Sequence, residues 1–137
     1  MAGSKSDYLE NKILDGVLGG SAFSLPANVY IALSTATYSD AATGSSMTEV
    51  SGSGYARVAV TNNNTSWPAA SSGVKANGVV FTFPAATGSW GTVQSFYIVD
   101  ASSAGNNLYG ADLTTARAIA SGDTASFAVS SISISEN

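Results

Sequence analysis

The sequence predicts an all-β fold, a single β-sandwich or jelly-roll-like domain with one N-terminal amphipathic helix. Three observations carry that expectation. Apolar residues recur at every second position in short runs from residue 29 onward, Gly, Ser, Asn and Thr separate those runs, and the period before them is helical. The run from Trp90 to Asp100 anchors the argument, because Phe96 and Ile98 keep one parity while Val93, Tyr97 and Val99 keep the other. A strand apolar on both faces belongs inside a sheet, so this run is expected to be central, with the other strands packed around it.

At 137 residues the chain suits one domain with a sizeable core. The expected division is a helical arm over residues 1–20 and a β-sandwich domain over 21–137. In the arm, Leu9, Ile13 and Val17 recur every fourth residue with Leu14 and Leu18 beside them, which predicts a helix over residues 5–18. Ser4 and Asp7 have the spacing of a capping box, the early acids suit the positive helix end, and Gly19-Gly20 is a stop signal. A helix this short is marginal in water, so its apolar stripe needs covering by its own sandwich or by a neighbouring subunit.

Val29 to Ser34 is the first expected strand, entered just after Pro26. Residues 35–54 then form a long polar excursion, of the kind that is usually functional or mobile. Tyr55 to Thr61 alternates as a strand, and a second polar connection over 62–78 holds Trp67-Pro68. Val79 to Phe83 ends at Pro84, Asn107 to Asp112 is a hairpin return, and Arg117 to Ala120 is a short strand before the turn Ser121-Gly122-Asp123. In the last segment, Thr124 to Ser135, Ala125, Phe127 and Val129 share one parity and Ile132 and Ile134 the other. A bulge or bend at Ser130-Ser131 is therefore expected.

Only 10% of residues are charged, so the outer surface is Ser-, Thr-, Ala-, Gly- and Asn-rich and carries little that would repel a neighbouring copy. Assembly is the first function class this favours. The net charge of −4 and five scattered cations argue against nucleic-acid binding, which needs several phosphates neutralised together. No run of the sequence has the length of a membrane span, and the charged start does not read as a signal peptide; synthesis in the cytosol and a soluble product are expected. With no cysteine and no histidine, disulfides, thiolate metal sites and the commonest catalytic bases are missing, and no cofactor or metal is expected. Asp100 and Asp112 are the one carboxylate pair that a hairpin would bring close, and strand-end acids more often cap turns or pair with an arginine, for which Arg57 is the expected partner. The Gly-x-Gly of Ser51 to Arg57 precedes a strand and is not a nucleotide fingerprint.

A wider resemblance runs through Ser6-Asp7-Tyr8-Leu9-Glu10-Asn11-Lys12, Leu14-Asp15, Val17-Leu18-Gly19-Gly20, Val29-Tyr30-Ile31-Ala32-Leu33, Gly54-Tyr55-Ala56-Arg57, Phe83-Pro84, Trp90-Gly91-Thr92-Val93 and Asp100-Ala101. Over nearly its whole length the chain resembles a family of small tailed-bacteriophage virion proteins, labelled tail fibre or capsid decoration-like. That resemblance implies a non-enzymatic virion component. The expected role is a capsid decoration, or cement, protein on the shell; the alternatives are a small tail fibre or tail appendage, and a carbohydrate-binding β-sandwich whose tryptophans stack on sugars. The expected partners are the major capsid protein or tail proteins and further copies of the chain, a homotrimer by analogy with decoration proteins at threefold positions. Leu9, Ile13, Leu14 and Val17 on the helix and Trp67 and Pro68 in the 62–78 connection are the candidate interface residues.

Overall fold

A computed structural model of the chain describes residues 2–136. Nine strands and one helix follow in the order β1 (Ala2–Lys5), α1 (Asp7–Gly19), β2 (Asn28–Ser34), β3 (Val58–Thr61), β4 (Val74–Ala76), β5 (Phe81–Thr82), β6 (Gly91–Val99), β7 (Asn107–Ile119), β8 (Ser126–Phe127) and β9 (Ser133–Ser135). Seven of them form one sheet in the order β3-β2-β6-β7-β1-β9-β4, and β5 pairs with β8 in a second, small sheet. The fold is thus β-rich with a single N-terminal helix, as the periodicities predict.

The strand expected to be central lies inside the sheet, with β2 antiparallel on one side and β7 on the other. Both faces of β6 are covered, and they are covered differently. Phe96 and Ile98 enter the main core, where Phe96 lies 5.6 Å ring to ring from Phe127 of the small sheet. Tyr97 and Val99 pack on the other face with Ala32, Met47 and Tyr38, so the polar excursion of residues 35–54 acts as a lid over that side. A register shift between Val93 and Ser95 changes the parity of β6, which lets Val93 join Phe96 in the main core.

The small sheet is the second layer. Phe81 faces Phe127 across its ladder, and Tyr55, Phe83, Trp90 and Phe127 continue the aromatic packing, with Tyr55 edge-on to Trp90 at 5.3 Å. The Trp90 indole N–H donates to the Ser53 carbonyl at 2.9 Å, which meets the polar need of a buried indole.

The parity change in the last segment takes the form of a turn. Ser130 has φ +61°, and β8 and β9 on either side of it belong to different sheets. Buried Asn77 brackets this turn: its amide donates to the carbonyls of Val79 at 2.8 Å and Ala128 at 2.9 Å, while its side-chain oxygen accepts from the Ile132 N–H at 2.9 Å. One side chain thereby satisfies three backbone groups that the turn takes out of any ladder.

Several boundaries differ from those expected. The strand expected from Tyr55 begins at Val58, because Tyr55 and Arg57 are used in side-chain contacts. Asn107 to Asp112 and Arg117 to Ala120 are parts of one long strand, β7, in which residues 113–116 bulge opposite Gln94. Strand β1 was hidden in the sequence. It runs antiparallel to β7 and parallel to β9, and Gly3 suits it because a Cβ there would push aside the end of the Ile134 side chain and crowd the Gly110 carbonyl.

Candidate interaction surface

The helix starts two residues later than expected, and Ser6 caps it in place of Ser4, which is part of β1. Ser6 is fully buried; its oxygen accepts from the Leu9 N–H at 3.2 Å while its hydroxyl donates to the Asn107 carbonyl. Its backbone N–H donates to Leu108 at 2.9 Å, so the first turn is tied to β7. Leu9 is buried against the sheet.

Beyond Leu9 the stripe leaves the body. Ile13 is 38% exposed, Leu14 57%, Val17 76% and Leu18 82%, and Leu25, in the connection to β2, is 76% exposed. Of the two ways to cover the stripe, its own sandwich supplies only the first. Gly20, in the left-handed region at φ +64°, ends the helix and turns the chain back toward the sheet.

Beside this helix lies an apolar groove of about 390 Å³, walled by Leu9, Phe23, Pro26, Trp67, Val74 and Ile134 among others, with Lys75 and Glu136 as its charged members. Two of the expected interface residues, Leu9 and Trp67, thus meet on one groove. Trp67 is 6% exposed and its ring lies 5.3 Å from that of Phe81, so it is a wall of the groove and not a solvent-facing platform for a sugar. Pro68 is exposed and its carbonyl accepts from Lys75 at 3.0 Å. Leu18, Leu25 and Val74 complete the apolar surface; Leu18 was visible in the helical stripe, whereas Leu25 lies in the aperiodic connection before β2 and Val74 in the polar connection after Pro68, where neither belonged to a pattern.

The Gly-Tyr-Ala-Arg motif has a structural use. The Arg57 guanidinium is 3% exposed and grips Glu49 through two nitrogens at 2.8 Å each. It also donates to the carbonyls of Ala101 at 2.7 Å, Ala104 at 2.9 Å and Gly44 at 3.0 Å, so one side chain joins the 44–49 loop to the β6–β7 turn. Gly44 permits this approach, since a Cβ there would overlap the Ala104 carbonyl. The Tyr55 hydroxyl donates to the same Glu49 carboxylate at 2.8 Å and accepts from the Leu33 N–H at 2.9 Å.

Arg57 therefore pairs with Glu49 and with neither strand-end acid. Asp100 caps its own turn by accepting from the Asn106 N–H at 2.7 Å, and Asp112 accepts from the Tyr38 N–H at 2.6 Å. These two carboxylates do not meet: Asp112 stands opposite Ser95 in the ladder, and Asp100 is five residues further on, about 16 Å at the usual strand rise. Among the described residues no group of three or more acids is placed to hold a metal ion, and no helix is long and apolar enough to cross a membrane.

Burial raises the hydroxyl pKa of four tyrosines. Tyr38 is pushed up to about 12, and Tyr55, Tyr97 and Tyr109 are shifted the same way, with the Glu49 carboxylate adding to the effect on Tyr55 and Glu136 to that on Tyr109. The folded state holds these protons more tightly than the unfolded chain. Their contribution to stability is therefore complete below the unfolded value of 10.0 and falls as pH rises from there through about 12. Alkaline unfolding is expected in that window, with tyrosinate absorbance and loss of near-UV dichroism rising together. Stability that stays flat across it would contradict the burial of these hydroxyls.

A model of the family described as podophage GP4 fiber I protein gp80 matches residues 4–135. None of the curated proteins matches the chain.

Proposed function

This chain belongs to the family of podophage GP4 fiber I protein gp80, and from that premise we propose that it is a non-enzymatic structural subunit of a phage tail fibre or appendage. The observation that carries the reading is the helix face. A body that leaves none of its aromatic residues exposed still leaves Leu14, Val17 and Leu18 in water, an arrangement suited to a subunit that works packed against neighbours. The proposed partners are other virion proteins and further copies of the chain, with a trimer as one of the closed cyclic arrangements open to it.

Capsid decoration is the second reading. It draws support from the described residues being taken up by one closed body in which β1 joins β9, leaving no segment among them for a shaft. Cryo-electron microscopy of purified particles distinguishes the two. Density at the tail supports the first reading, many copies over the head support the second, and absence of the protein from particles overturns both.

The helix itself is tested by Val17→Asp. Because Val17 is 76% exposed, the change is expected to alter folding stability by less than about 1 kcal/mol while sharply lowering the number of copies per particle. Full occupancy by a normally folded variant would show the helix face to be dispensable.

A further inference from the structure

We infer that the exposed turns of α1 on one copy seat in the apolar groove of the next copy, so that two different patches of the same chain form one interface. The inference rests on the reading of the protein as a subunit packed against its neighbours.

The two patches are alike in chemistry. Ile13, Leu14, Val17 and Leu18 on the helix expose on the order of a few hundred Å² of apolar surface, a substantial part of the roughly 800 Å² that each partner gives to a standard interface, and Leu25, 76% exposed on the groove's lining, extends the surface that would meet them. The groove holds about 390 Å³, whereas a cavity of roughly 150 Å³ accepts one benzene-sized group. It has room for two or three aliphatic side chains, which is what Leu14, Val17 and Leu18 present on adjacent helical positions. The helix cannot serve its own groove: Leu9 is built into the wall, and none of the residues exposed on the later turns lines it.

One charged pair can set the orientation. Asp15 lies one turn from Leu18 on the exposed part of α1, and the groove carries one charge of each sign, Glu136 and Lys75, the latter donating to the Pro68 carbonyl at 3.0 Å. Seating the helix places an acid beside a lysine at the rim, a contact that orients the helix more than it strengthens the interface.

Contact between unlike patches closes as a reciprocal two-fold dimer, each helix in the other copy's groove, closes as a larger ring, or continues as a filament. A like-to-like contact, helix on helix or groove on groove, would leave the other patch unused and could not be restored by mixing two differently damaged copies. The test uses this difference. Leu18→Asp spoils the helix patch and Ala70→Trp fills the groove, both at exposed positions on the full chain. By sedimentation the parent is expected to form a dimer or larger oligomer, and each variant alone to associate at least a hundredfold more weakly with unchanged circular dichroism. An equimolar mixture is expected to stop at the dimer, because only one intact helix and one intact groove remain. Should Ala70→Trp misfold, Val74→Lys supplies the groove variant. A parent that stays monomeric at millimolar concentration, variants that still assemble, or a mixture that stays monomeric overturns the inference. A monomeric parent nonetheless present on particles would do so while leaving the virion reading intact; an assembling parent absent from particles would do the reverse.

Discussion

Arg57→Ala is expected to lower the free energy of unfolding by about 2–4 kcal/mol, below the upper end of the range seen when one partner of a fully buried ion pair is removed, because the pair is only partly buried. The loss has two parts. Glu49, 23% exposed, loses two charge-assisted hydrogen bonds, and the carbonyls of Gly44, Ala101 and Ala104 lose a charged donor, the first two of them away from open solvent. Arg57→Lys should recover little, since a single ammonium cannot hold both carboxylate oxygens and three carbonyls spread across two loops. Urea unfolding reads the effect as a lower midpoint at constant slope. A shift below about 1 kcal/mol would mean that the two loops are held by other contacts.

Phe96→Ala is expected to cost about 3–5 kcal/mol, for a different reason. Phe96 is 0% exposed and touches the small sheet through Phe127, so its removal opens a cavity between the two layers that the long β6 ladder prevents from closing. Phe96→Leu keeps most of the volume and should cost less than about 1.5 kcal/mol. Calorimetric melts of the pair should therefore separate clearly. If the alanine variant melted with the parent, β6 would not be the interior strand and the two-layer arrangement would be wrong. Against a total stability of about 5–15 kcal/mol, either Phe96→Ala or Arg57→Ala is enough to leave the folded population small at elevated temperature.

What the sequence made legible is what side-chain period controls. The 3.6-residue stripe located α1, the double parity of Val93 to Val99 located β6, and the parity change at Ser130 located the turn between the sheets. Strands β1 and β4 were not legible, because three or four residues defined by backbone pairing carry no pattern of their own. The cap was misplaced for a related reason: Ser4 and Ser6 are equivalent in composition, and only the pairing of Ser4 with Gly110 decides which is free to cap. Arg57 was identified as an ion-pair former, but its partner depends on how the 44–49 loop folds back. Half of the candidate surface, the helix, could be read directly. The groove could not, since its walls come from α1, the connection to β2, β4, β7 and β9, and are neighbours only once the sheet has formed.

The place of β1 in the sheet sets an order of events during folding. Ala2 pairs with Ser133 and Gly3 with Ile134, and the β9-β4 pair reaches the rest of the sheet only through this short strand. The seven-stranded sheet therefore cannot be completed until residues 133–135 are available, however early residues 2–5 emerge from the ribosome. Until then the apolar helix face and the unfinished sheet edge are both open to other chains. Contacts of such long sequence separation are expected to give folding in the millisecond-to-second range. That interval leaves the helix face and the unfinished edge able to meet another chain before the last strand is in place.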